Sequence, residues 1–70
     1  MSRAWFDPAR AYLRKRFRHP VPALAKRAGR PVKTCEKWMD GSSAPKGEAL
    51  LALIKSDIGP DLLGVLGVRQ

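Results

Sequence analysis

Residues 21–41 read VPALAKRAGRPVKTCEKWMDG, and the fold turns on how this stretch is parsed. Val21, Leu24, Ala25 and Ala28 recur at i, i+3, i+4 and i+7, which places them on one face of a helix. Gly29 follows at once, and a residue without a Cβ can adopt the left-handed conformation that stops a helix. Pro31 is tolerated only near a helix start, so a second helix is expected from about Pro31. That helix buries Cys35 and Trp38, with Met39 beside them, and ends at Asp40-Gly41. The stretch is a helix-turn-helix pattern, and its second helix is a candidate for reading DNA.

On the N-terminal side, Asp7-Pro8 marks a helix start, because Asp caps free amides and Pro suits the first helical position. The helix is expected from Pro8 to about Arg18, stopped by His19-Pro20, since a residue before proline avoids the helical region. Ala9, Leu13 and Phe17 repeat every four residues with Tyr12 alongside, a core stripe. Arg10, Arg14, Lys15, Arg16 and Arg18 fill the other faces and read mainly as a solvated surface. Trp5 and Phe6 are too apolar to lie in water without a reason.

On the C-terminal side, Gly41-Ser42-Ser43-Ala44-Pro45 is a turn-rich loop. A fourth helix is expected from Pro45 or Lys46 to Ser56, with Leu50, Leu51 and Ile54 as its main apolar face and Leu53 widening it. Gly59-Pro60-Asp61 breaks the chain again, before a short helix from Asp61 to about Leu66 and a disordered-looking Arg69-Gln70 end. No segment alternates apolar and polar residues long enough for a strand. The reading is all-α: residues 1–70 as a single domain, a compact four- to five-helix bundle containing the helix-turn-helix.

A 70-residue chain has a marginal core. Its lone cysteine excludes an internal disulfide, and Cys35 with the lone His19 cannot supply a four-ligand zinc site. No apolar run is long enough for a membrane span and no signal-peptide pattern opens the chain, so a cytoplasmic location is expected. Charge is more informative. Residues 1–40 hold eleven Lys or Arg against Asp7, Glu36 and Asp40, whereas residues 41–70 balance Lys46, Lys55 and Arg69 with Glu48, Asp57 and Asp61. The entire +8 surplus therefore lies in the half with the helix-turn-helix, which favours a polyanionic partner through counterion release. Membranes, RNA and acidic proteins also attract basic patches, so charge alone does not choose.

Leu24-Ala25 before Gly29, then Thr34-Cys35 and Trp38 at five, six and nine residues past it, form a recognisable series. Gly41 at twelve past, with Ala44-Pro45 leading into a leucine-rich helix, completes it. Over about Val21 to Lys55 the chain resembles the lambda-repressor-like helix-turn-helix family of bacterial and phage regulators, the Cro or Xre type. Arg30 and Pro31 depart from the family's apolar residue and Ser or Thr cap, and Cys35 replaces its usual Ile or Val. The resemblance implies that the third helix enters the major groove, with Val32, Lys33 and Lys37 facing base edges. Lysine can donate to guanine O6 and N7, and valine can pack on a thymine methyl.

Alternatives stay open at these positions. Val32 could instead cap the core, and Lys33 and Lys37 could hold phosphate without reading sequence. Arg30 and Thr34 read as phosphate binders, and Ser42, Ser43 and Lys46 could grip the backbone beside the groove. Glu36 either accepts from a cytosine or orients a basic neighbour. Trp38 reads as core, Cys35 as an inert buried thiol and His19 as a surface residue without a partner. No paired carboxylates, nucleophile constellation or phosphate-cradling loop supports an enzyme, and no cofactor or metal is expected.

The resemblance further implies a Cro-like repressor of a phage or mobile element, binding as a homodimer to an inverted repeat with half-sites ~34 Å apart. Leu62, Leu63 and Leu66, or Trp5 and Phe6, are the candidate dimer surfaces, against a monomer that covers them itself. The length leaves no room for a ligand-sensing domain, so no small-molecule ligand is expected. The rival readings are an antagonist that binds another regulator through an acidic partner surface, and a non-specific architectural DNA binder.

Overall fold

In the computed structural model, which describes residues 4–67, a 3-10 turn at Ala4–Phe6 leads into α1 (Asp7–Arg16). The others are α2 (Pro20–Ala28), α3 (Val32–Asp40), α4 (Gly47–Lys55) and α5 (Gly59–Val65). Two of the helices, α2 and α3, stop at a left-handed glycine, whereas α1 and α4 stop where the next residue turns extended. No strand occurs among the described residues. The radius of gyration, 10.8 Å, matches the value of about 11 Å for a compact chain of this length. Arg69 and Gln70 lie outside the described residues.

Gly29 ends α2 at φ 66°, ψ 34°, and its amide donates to the Ala25 carbonyl at 3.0 Å. Pro31, extended at ψ 151°, precedes α3 and accepts from the Thr34 and Cys35 amides. Gly41 ends α3 at φ 88°. The left-handed positions that bracket α3 are both glycines, the residue with no steric penalty there. Both helix boundaries thus follow the expected parsing to within a residue.

The core joins Phe6, Ala9, Leu13, Leu24, Ala28, Cys35, Trp38, Met39, Ala49, Leu53, Ile58 and Leu62. Cys35, Trp38 and Met39 are the buried side of α3, as their spacing requires. Burial pushes the Cys35 thiol up, away from the thiolate that reactivity would need. Phe17 and Tyr12 pack against this core from its edge. Arg16 and Arg27 lie over the Phe17 ring, 5.0 and 4.7 Å from its centre.

Several expectations are corrected. Helix α1 ends at Arg16, two residues early, because Phe17 turns extended at φ −123°, ψ 135°. Asp7 does not cap it; Asp7 is the first helical residue and pairs with Arg10 one turn on. Arg10 is not solvated: it is 5% exposed. Along α4 the buried positions are Ala49 and Leu53, whereas Leu50 and Ile54 are half-buried and Leu51 is 55% exposed. Apolar residues crowd every side of that helix, and tertiary packing selected the 49–53 stripe. Gly59-Pro60 begins α5 instead of separating it from α4, since proline suits a first turn. A Cβ on Gly59 would overlap the Ile54 carbonyl, so glycine permits this tight α4–α5 approach. Phe6 and Leu62 are fully buried and unavailable to a second copy, because the chain's own core occupies them.

Candidate nucleic-acid interface

The outer side of α3 is built by the same periodicity that buries its inner side. With Cys35, Trp38 and Met39 facing in, Val32, Lys33, Glu36 and Lys37 are left exposed. Val32 is 47% exposed, so its side chain does not cap the core. Lys33 and Lys37 are one turn apart, and Arg30 one turn before Lys33 falls just ahead of the helix. None of these three, nor Lys46, forms a salt bridge among the described residues.

Beside α3 lies an open groove of about 320 Å³, lined by Arg30, Thr34, Trp38, Ser43, Ala44, Lys46 and Ala49. The turn after α2, both halves of α3, the loop after Gly41 and the start of α4 each contribute. Four of the five residues expected on phosphates thus meet at one depression: Arg30, Thr34, Ser43 and Lys46. Two cations and two hydroxyls over an apolar floor form a surface suited to an anion with a hydrocarbon or sugar edge. Lys46 is also the residue before α4, whose first amides lack a side-chain cap.

Ser42 does not join them. Its amide donates to Asp40 Oδ1 at 2.7 Å, and hydrogen bonding from its side chain and then its backbone holds the Asp40 carboxyl below the ordinary aspartate range. A serine engaged by a carboxylate is a poor phosphate donor. Val32, Lys33 and Lys37 also lie outside the groove lining, on the exposed side of α3.

Sequence reasoning missed what holds the far end of α3. The last carbonyls of a helix need donors from outside it. Here the Ser43 amide donates to Lys37 O at 3.2 Å, Arg10 Nε to Trp38 O at 2.5 Å and Arg14 Nη2 to Met39 O at 2.6 Å. Two arginines of α1 thereby also complement the negative end of the α3 dipole. Among the described residues no group of three or more His, Cys, Asp or Glu could hold a metal, and no helix is long and apolar enough to cross a membrane. No protein-family model, curated protein or solved structure matches the chain.

Proposed function

We propose that the chain is a sequence-specific double-stranded DNA-binding transcriptional regulator, with α2, the 29–31 turn and α3 acting as a helix-turn-helix. In this reading α3 lies in the major groove, Lys33 and Lys37 reach base edges and Val32 packs on a thymine methyl. Arg30, Thr34, Ser43 and Lys46 grip the adjoining phosphates. The protein represses by occupying an operator, as a Cro-like regulator of a phage or mobile element. It binds as a homodimer on an inverted repeat, with exposed Trp5 and the half-buried Leu63 and Leu66 left to form the contact.

One observation carries the proposal: α3 presents lysines free of salt bridges outward beside a groove where four independently expected phosphate-binding residues converge. Glu36 and Asp40 leave α3 itself without net charge, so the attraction to a duplex comes from the basic half as a whole. Lys33 and Lys37 are turned outward on a rod of helical width, with Arg30 and Lys46 beside it. The test is selection from a pool of random duplexes, followed by titration of the selected and unselected sequences. Enrichment of an inverted repeat supports the proposal. Tight but uniform binding would mean an architectural role, and no binding to any duplex would favour capture of an acidic protein partner.

A further inference from the structure

Arg10 is the one charged side chain that the fold buries among the described residues. A buried guanidinium is costly unless every donor finds a partner. All of its branches do. Nε donates to Trp38 O at 2.5 Å, Nη2 to Ser43 O at 3.3 Å and Nη1 to the Asp7 carboxylate, while the plane lies 5.2 Å from the Phe6 ring centre. No buried polar side-chain atom lacks a partner among the described residues.

The choice of partners is what matters. Trp38 belongs to the last turn of α3, and Ser43 to the loop that walls the groove beside it. Ser43 is therefore held from both sides, its amide by Lys37 O and its carbonyl by Arg10. Arg14 fastens the next carbonyl, Met39 O. Asp7, itself largely exposed, orients the fork from within α1. A guanidinium can serve two carbonyls and a carboxylate at once because its donors diverge in a plane; an ammonium on a lysine stem cannot span them.

We infer that Arg10 is a positioning residue for the nucleic-acid interface: by bridging Trp38 and Ser43 it fixes the 41–46 loop against α3 without itself touching DNA. This rests on the DNA-binding reading, which it deepens. A residue that only filled the core would change how much protein is folded. A positioning residue changes how well folded protein binds.

The experiment compares the intact chain with Arg10→Lys and with the milder Asp7→Asn. Each is held at a temperature where circular dichroism shows full folding. Amide hydrogen exchange reads the loop, and fluorescence anisotropy reads affinity for a labelled random-sequence duplex across a salt series. In Arg10→Lys the Ser42 and Ser43 amides lose about tenfold in protection while those of α2 and α4 keep theirs. Affinity falls about tenfold at an unchanged salt slope, with Asp7→Asn intermediate. Unaltered loop exchange and affinity would overturn the inference, as would a slope reduced by about one, which would put Arg10 on a phosphate. If Arg10→Lys does not fold, Asp7→Asn decides by the same readouts. If the parent chain binds no duplex the DNA reading fails, and loop exchange still decides whether Arg10 holds Ser43.

Discussion

Arg27 grips Asp57 with two parallel hydrogen bonds, Nε to Oδ1 at 2.7 Å and Nη2 to Oδ2 at 3.0 Å, and so ties the end of α2 to the chain between α4 and α5. The hydrogen bond from Arg27 is the main reason the Asp57 carboxyl sits below the ordinary aspartate range. Arg27 also lies over the Phe17 ring, so it joins the link before α2 and the end of α2 to a segment 30 residues further on.

A depressed folded-state value means that the unfolded chain takes up protons first as the medium turns acid. The stabilisation is therefore present above the unfolded aspartate value of about 3.9 and is lost as pH falls through the lower folded value. Thermal melts should show a decline in melting temperature on that acid side. The decline is shallower in Asp57→Asn, which is slightly less stable than the parent at neutral pH, as fits an exposed pair. Parallel acid profiles for the two proteins would contradict the assignment, with Asp40 accounting for any part they share.

Salt sets a quantitative demand on the interface. If only Arg30 and Lys46 neutralise phosphates, the log–log slope of affinity against salt is about −1.8 per protomer, and adding Lys33 and Lys37 makes it about −3.6. The second value corresponds to a loss of roughly 150-fold over a fourfold rise in salt. A flat response in anisotropy titrations would count against DNA binding altogether.

Grip and readout separate by mutation. Arg30→Ala should weaken selected and random duplexes alike and lower the slope by about 0.9. Lys33→Ala should remove about 1–3 kcal/mol of discrimination at the base it meets. Uniform loss in both variants would return Lys33 to the phosphates.

Leu51 and Leu53, two residues apart on α4 and treated differently by the structure, give a stability test. Leu53→Ala should cost about 2–5 kcal/mol in denaturant unfolding, a large part of what so small a domain holds. Leu51→Ala should stay within about 0.5 kcal/mol, since its side chain is mostly in water. Equal losses would mean that α4 is rotated from the orientation described here.

Gly59→Ala should also be strongly destabilising, although alanine ordinarily favours helices. Its Cβ would meet the backbone carbonyl of Ile54, which cannot swing aside as a side-chain tip would. A stabilised variant in thermal melts would show that α5 does not approach α4 as closely as described.

Local signals account for what the sequence disclosed. Gly29, Pro31 and Gly41 carry backbone requirements that no neighbour can override, so the limits of α2 and α3 were readable. Cys35, Trp38 and Met39 were legible because the other positions of α3 are polar, save Val32. In α4 the run ALLALI offers apolar residues at every angle, and only packing against α2 and α5 selects Leu53. Arg10 was illegible for another reason: its partners are main-chain carbonyls 28 and 33 residues away, and a carbonyl has no sequence signature. Arg30, Thr34, Ser42, Ser43 and Lys46 are singled out one by one in the sequence. That four of them line one groove with Trp38, and that Ser42 does not, follows only from the packing of the loop on α3.

The two left-handed glycines around α3 have a consequence for how such a protein could diversify. They fix where the rod begins and ends through backbone geometry alone, and Cys35, Trp38 and Met39 fix its roll. Val32, Lys33, Glu36 and Lys37 contribute nothing to either task. Their side chains form a rewritable strip: new chemistry can be inscribed there, and a different target chosen, while the scaffold underneath keeps its shape.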